Sequence, residues 1–132
     1  MPALTTFVPP VPVSFGNKIQ ICKWSWIADS GTGAVAAKTS TVELHGYLVK
    51  FKVHPGTTAP TALFDITLKD SDGCDVLGGE GADRSATLIE QGLPLVGAAY
   101  APSRVDGFLT FAITGNSVNG ATGDFYIYIE VD

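Results

Sequence analysis

The sequence predicts an all-β protein, a single-domain β-sandwich or jelly-roll-like barrel with an extended, proline-rich N-terminal arm. Three observations predict this class. Several segments alternate between apolar and polar residues with the period of two that strands require. The 15 glycines and 8 prolines place turns between these segments at hairpin spacing. No stretch has the spacing and caps of a long amphipathic helix, so helix is expected to be minor.

The length of 132 residues corresponds to one domain, which is large enough to bury a core without disulfides or metal. Residues 1–16 are predicted to form the arm and residues 17–132 the β domain. Four prolines among the first twelve residues oppose helix and central strand. The side chains between them favour an extended segment that lies on a surface, either of its own domain or of a neighbour. These apolar residues are Leu4, Phe7, Val8, Val11, Val13 and Phe15.

The first strong strand is expected at residues 18–28, where both faces are largely apolar. This pattern fits a strand that is covered on both sides or lies at a subunit contact. The longest strand is expected at residues 41–53, with a bulge or bend at Gly46. Its alternation predicts one shared face for Tyr47, Val49, Phe51 and Val53.

Further strands are expected in the second half of the chain. Residues 63–69 alternate clearly, residues 75–77 could form a short return strand, and residues 86–90 another short strand. Residues 107–114 and 124–131 are predicted to close the chain as a β-hairpin with a long loop. Together these segments amount to about six to eight strands, as in sandwiches and jelly rolls.

The charge balance argues against nucleic acid as a partner. Thirteen acidic and eight basic residues give a net charge of −5, and the basic residues are scattered rather than clustered as phosphate binding requires. The apolar runs are too short to span a bilayer, and no signal-peptide pattern is visible. We therefore expect no membrane partner and synthesis in the cytoplasm. Cys22 and Cys74 are expected to be reduced thiols.

Candidate chemistry is sparse, so we expect no enzyme, no metal and no cofactor. Residues 70–75 place acidic side chains at alternate positions around a glycine, as calcium loops do, but the expected bidentate glutamate is missing and a hairpin turn is favoured. His45 and His54 have opposite strand parity and are not expected to converge on a metal. No nucleophile elbow is present. Hydrolysis by two carboxylates stays open, although nothing selects a pair.

Two aromatic pairs are candidates for binding. Trp24 and Trp26 share one strand face, and Tyr126 and Tyr128 share another. Aromatic rings on a sheet could hold sugar rings. Burial of the tryptophans in the core or at a subunit interface is favoured, because large aromatic surfaces are usually covered.

The run ALFDITLKDSDGCDVLGG at residues 62–79, followed by ADRS at 82–85 and VDGFLTFAITGN at 105–116, resembles small virion proteins of tailed bacteriophages. The similarity covers roughly residues 46–131 and concerns a strand, an Asp-Gly turn and a strand pair rather than a diagnostic motif. Residues 1–28 are not covered, and Ser85 stands where such proteins often have aspartate.

The resemblance implies a capsid decoration (cement) protein, made in the host cytoplasm, that binds the major capsid protein shell and stabilises it, often as a homotrimer. Under this hypothesis, seven apolar residues make subunit or capsid contacts. The alternatives are another virion β-module, such as a tail, fibre or host-glycan-binding protein, and then a small hydrolase or lyase. The expected contact residues are Phe7, Val8, Val11, Val13, Phe15, Trp24 and Trp26.

Overall fold

The computed structural model describes residues 1–10 and 18–131. These ranges contain eleven strands and no helix, which confirms the all-β prediction. Accordingly, no helix in the described ranges is long and apolar enough to cross a membrane. The strands are β1 (Leu4–Val8), β2 (Ile19–Ile27), β3 (Lys38–Thr39), β4 (Leu44–Pro55), β5 (Asp65–Lys69), β6 (Glu90–Gly92), β7 (Leu95–Val96), β8 (Ala99–Tyr100), β9 (Ser103–Gly107), β10 (Thr110–Thr114) and β11 (Thr122–Glu130).

The strands form two sheets and a small ribbon. The larger sheet has the order β1-β2-β11-β4-β6, and β9 pairs with the first half of β4 on the same side as β6. The smaller sheet has the order β3-β10-β5, and β7 and β8 pair with each other outside both sheets. All pairings between the strands are antiparallel.

One core lies between the two sheets. Phe111 of the smaller sheet is the central ring, with its centroid 5.9 Å from that of Trp24 and 5.8 Å from that of Trp26. Phe125 of the larger sheet stacks on the same ring at 5.4 Å. Aromatic residues bury the most apolar area per side chain, so this cluster dominates the contact between the sheets. The arrangement is that of a β-sandwich, as predicted.

The first part of the predicted arm is an edge strand of the domain itself. Strand β1 pairs antiparallel with β2 over its whole length. Its alternation turns Thr5 and Phe7 inward, and the Phe7 ring lies 4.7 Å from that of Trp24. Of the two surfaces considered for the arm, residues 4–8 thus lie on their own domain. Val11, Val13 and Phe15 fall outside the described residues, and the arm prediction for them stays a prediction.

Strand β4 changes the face of its alternation halfway. Tyr128 is opposite Lys50 while Ile129 is opposite Leu48, so Val49 is an extra residue in the ladder. Such a bulge moves the following side chains to the other parity. Phe51 is buried but Tyr47 is exposed, so the prediction that they share one face was wrong. The bulge lies at Val49 rather than at Gly46.

The predicted closing hairpin was also wrong. Strand β10 pairs with β3 and β5 in the smaller sheet, whereas β11 pairs with β2 and β4 in the larger one. The loop between β10 and β11 therefore crosses from one side of the sandwich to the other.

Two short predicted strands also differ from the structure. Residues 75–77 form only an isolated bridge, between Asp75 and Lys69, and the strand expected at residues 86–90 is β6, which begins at Glu90. Both segments are only a few residues long, so alternation in the sequence does not fix their bounds.

Candidate binding surfaces

The two tryptophans expected to contact a partner lie in the core of this chain. Trp24 is 0% exposed and donates its Nε1 hydrogen to the Lys38 carbonyl oxygen at 3.0 Å. Trp26 is 2% exposed, and its Nε1 has no hydrogen-bond partner within the described residues. Because the chain itself covers both rings, the prediction that these side chains contact a partner is corrected. They belong to the core, which was the other interpretation considered for them.

The described residues of the arm divide between the core and the surface. Phe7 is buried against Trp24, and it too is unavailable to a partner. Val8 is 46% exposed and points to the outer side of the larger sheet, together with Leu4. Of the predicted contact residues that the structure describes, only Val8 therefore lies on the surface.

Several exposed apolar side chains of the described chain lie close together in sequence at the opposite edge of the larger sheet. This surface comprises β6, the β7–β8 ribbon and the turn before them, and we call it the apolar ribbon (residues 88–100). Contiguous apolar patches of this kind mark interaction sites more often than isolated exposed residues do. Its exposed side chains include Leu88 (67%), Ile89, Leu93, Val96 and Tyr100 (63%).

The apolar ribbon is nearly free of charge. Glu90 is the only charged residue between positions 86 and 102. Its carboxylate accepts a hydrogen bond from the Ser85 backbone N–H at 2.6 Å and lies 3.7 Å from Arg84 Nη1. The one charge of this surface is therefore satisfied within the chain, so a partner could cover the ribbon without isolating it.

Backbone contacts hold the ribbon in place. The Leu95 N–H donates to the Leu77 carbonyl oxygen at 3.1 Å. Gly78 has a φ of +66°, and a Cβ at that position would lie 1.9 Å from the Leu95 carbonyl oxygen. Only glycine fits there. The Gly-rich segment after β5 thus packs against the ribbon and helps to fix its position.

A second surface lies on the outer face of the larger sheet. Strand β11 carries Tyr126 between Lys23 of β2 and Lys52 of β4, and Tyr128 opposite Lys50 of β4. Side chains of the same parity share a face. The inward partners on these strands are buried, which leaves this set on the outer side. We call Lys23, Lys50, Lys52, Tyr126 and Tyr128 the basic–aromatic face.

The ammonium groups of this face lie close to the tyrosine rings. Lys50 Nζ is 4.7 Å and Lys52 Nζ 5.8 Å from the Tyr128 ring centroid. Lys23 Nζ is 5.9 Å from the Tyr126 centroid. These are cation–π distances. Lys50 also donates to Gln91 Oε1 at 2.8 Å, which ties the face to β6.

In the acidic turn considered for calcium, aspartate carboxylates accept hydrogen bonds from backbone N–H groups of the chain. Asp70 Oδ1 accepts from the N–H groups of Asp72 and Cys74. Asp75 accepts from the N–H groups of Leu68 and Leu77 through Oδ1 and of Gly79 through Oδ2. Among the described residues no group of three or more His, Cys, Asp or Glu side chains is placed to hold a metal ion. The geometry is that of a hairpin turn closed by aspartates.

The two histidines lie apart, but not because of their parity. The bulge at Val49 places both on the outer side of β4, and nine positions along the strand separate them. His45 is at the β4–β9 pairing, with Nδ1 3.3 Å from Asp106 Oδ1. Arg104 donates to both oxygens of Asp106 at 2.9 Å, and these bonds, with that of His45, hold the pKa of Asp106 at about 2. His54 instead packs edge-on against the Tyr126 ring at 5.1 Å.

The two cysteines are unbridged in the described structure and lie in different surroundings. Cys22 faces the core, where burial raises the pKa of its thiol to about 12, whereas Cys74 is exposed in the aspartate turn. A protonated, buried thiol is a poor nucleophile. Cys22 therefore acts as a small apolar core residue at neutral pH.

Comparison of the chain with protein-family models, with curated proteins and with solved structures found no match. The chain is therefore classified by its fold and its two surfaces, as a β-sandwich with one apolar and one basic–aromatic surface.

Sequence reasoning missed the apolar ribbon, and of the basic–aromatic face it found only the pair Tyr126 and Tyr128. The apolar ribbon lacks periodicity, but its signal was present as a stretch of 17 residues, from position 86 to 102, with a single charge. The basic–aromatic face is assembled from three strands that are distant in sequence. Its lysines appear scattered until β11 pairs with both β2 and β4.

Proposed function

We propose that this chain is a structural virion protein that binds the major capsid protein shell of a tailed bacteriophage and stabilises it as a decoration protein. The observation that carries the proposal is the apolar ribbon, whose exposed side chains include Leu88, Val96 and Tyr100. Monomeric proteins rarely leave a contiguous apolar surface of this kind uncovered. A protein partner is its natural cover, because interface centres are apolar and depleted in charge.

The resemblance of residues 46–131 to small virion proteins supports the identity of the partner. The rigid β body supports it too, because a preorganised surface loses little conformational freedom when it binds a shell. Capsid stabilisation then follows by linkage, since a ligand that binds only the assembled shell favours that state.

The homotrimer belongs to the same proposal. The edge formed by β1 lies at the other end of the strand order from β6 and carries exposed Leu4 and Val8. Val11, Val13 and Phe15 follow in the sequence, and their contact with a neighbouring subunit stays a prediction. A contact between unlike surfaces closes into a ring when its rotation allows. A ring whose second contact surface lies outside the apolar ribbon would leave the ribbon free for the shell.

The test is co-sedimentation of the protein with shells assembled from the major capsid protein of the same phage. Deleting residues 1–16 would be a poor probe, because it would remove β1 and uncover Trp24. The better variant is Leu88→Ser combined with Val96→Ser. Losing two apolar contacts of about 1–2 kcal/mol each would weaken shell binding at least tenfold.

The matched control is Val42→Ser, which changes an apolar residue that is 39% exposed outside the ribbon. This variant is expected to bind like the wild type, and the wild type is expected to raise the melting temperature of the shells. Wild-type protein that fails to bind shells would refute the function. Normal binding by the ribbon variant would refute the surface assigned to it.

A further inference from the structure

We propose that the basic–aromatic face binds anionic saccharides, with the lysines pairing with their acidic groups and Tyr126 and Tyr128 packing on their sugar rings. The proposal does not depend on the capsid function, because it concerns the middle of the larger sheet and not its apolar edges.

Charge is the first support. The chain carries a net charge of −5, yet Lys23 and Lys52 flank Tyr126 on both sides, and Lys50 is opposite Tyr128. Three of the eight basic residues thus lie on neighbouring strands of one face. A ligand that complements this surface is an anion, whereas most of the protein would repel it.

The aromatic rings narrow the class of anion. Tyr126 and Tyr128 are two residues apart on one strand, so their side chains are spaced by about 6.8 Å along the face. Tyrosine offers an apolar ring with a polar tip, which suits the C–H faces and hydroxyl groups of a sugar. A uronic acid presents both a flat apolar face and a carboxylate within one residue. The apolar face matches the tyrosine rings, and the carboxylate matches the adjacent lysines.

The acidic residues at the two ends of the face disfavour nucleic acid as its ligand. Asp124 and Glu130 lie on the same face of β11, on either side of the tyrosines, and Asp124 accepts a hydrogen bond from Ser25 at 2.6 Å. The two acidic residues are about 20 Å apart along the strand and would repel a continuous phosphate backbone. The face also lacks arginine, the residue best suited to bidentate phosphate contacts. A short anionic segment fits between them.

The experiment measures binding of a galacturonic acid trisaccharide to the full chain by NMR titration. An uncharged galactose trisaccharide, a glutamate peptide and a DNA oligonucleotide are the comparison probes. The galacturonate is expected to bind most tightly, with shifts centred on β2, β4 and β11 and an affinity that falls as salt rises. Lys50→Gln and Lys52→Gln are each expected to weaken binding by up to about fivefold.

Tyr126→Ala is expected to weaken galacturonate binding by more than either lysine variant, and Tyr126→Phe to retain most of it. Matched controls lie outside the face. They are Lys69→Gln at the end of β5, and Tyr47→Ala, which removes an exposed strand tyrosine that Arg104 covers at 5.1 Å. Both are expected to bind galacturonate like the wild type.

Three results would overturn the proposal. They are no binding of galacturonate, equal or tighter binding of the peptide or the oligonucleotide, and galacturonate binding that is unchanged by Tyr126→Ala. If Tyr126→Ala does not fold, as judged by circular dichroism, Tyr128→Ala replaces it under the same criteria. Failure to bind shells would leave this result unaffected, because the variants for the two tests share no residue.

Discussion

At the scale of the residue, the two core tryptophans differ in one hydrogen bond. Both rings lie within 6 Å of the Phe111 ring and are almost fully buried. Only Trp24 has a partner for its indole N–H within the described residues, the Lys38 carbonyl oxygen of β3. Burying an N–H without a partner is costly, so Trp26 already bears a penalty that Trp24 avoids.

This difference predicts unequal costs for one chemical change. Trp24→Phe removes ring volume and also the hydrogen bond to Lys38, whereas Trp26→Phe removes similar volume together with a donor that has no partner within the described residues. Trp24→Phe should therefore lower the free energy of unfolding by about 1–2 kcal/mol more than Trp26→Phe. Urea denaturation followed by circular dichroism measures both values. An equal or larger loss for Trp26→Phe would contradict this account.

Individual side chains could be assigned an inward or outward direction from the sequence wherever a strand is regular. In β11 the alternation that puts Tyr126 and Tyr128 on one face leaves Phe125, Ile127 and Ile129 on the other, and these three are fully buried. In β4 the same reasoning failed at Tyr47, because a bulge adds one residue and the pattern of apolar residues does not reveal it.

At the scale of the element, Asn116 joins the loop between β10 and β11 to two other loops. Asn116 Oδ1 accepts from the Thr61 N–H at 2.9 Å, and its Nδ2 donates to the Gly33 carbonyl oxygen at 2.7 Å. One amide thus joins three loops at one end of the sandwich. This clamp lies where the chain crosses from the smaller sheet to the larger one.

Asn116→Ala is expected to destabilise the protein by about 1–3 kcal/mol, because it leaves partly buried backbone groups of Thr61 and Gly33 without partners. Asn116→Asp should cost less, since it keeps the acceptor for Thr61. Thermal denaturation measures both effects. The neighbouring Ser117→Ala is the control and should change stability by no more than about 0.5 kcal/mol. A loss for Ser117→Ala as large as that for Asn116→Ala would contradict the clamp.

Distant strand pairing explains why the closing hairpin was mispredicted. Strands β10 and β11 both alternate well, and their connection contains turn residues, so the local pattern fits a hairpin. The sheet that each strand joins depends on distant partners, Thr67 of β5 for Ala112 and Cys22 of β2 for Ile127. Alternation identifies a strand but not its neighbour.

At the scale of the whole molecule, the two sheets share one core. Phe111 of the smaller sheet contacts Trp24, Trp26 and Phe125 of the larger one. Neither sheet can keep its apolar face covered without the other. The fold class was predictable for the same reason, because amphipathic strands must pair their apolar faces. The identity of the partner surfaces was not, since they arise from strand order.

The shared core predicts a single cooperative unfolding transition. Tryptophan fluorescence reports the contact between the sheets and far-ultraviolet circular dichroism reports the strands, so the two curves should coincide in urea. The midpoint should also be the same by both probes. Separated curves would mean that one sheet survives without the other, which the position of Phe111 contradicts.

The position of β11 in the larger sheet has a consequence for biosynthesis. It lies between β2 and β4 and supplies their pairing partners, yet of the described strands it leaves the ribosome last. Until then the nascent chain holds two fragments, β1–β2 and β4 with its neighbours, whose open edges invite pairing with other chains. A chain whose translation stops before Thr122 would remain in that state. Quality-control proteases would then act on an aggregation-prone intermediate instead of the folded β-sandwich.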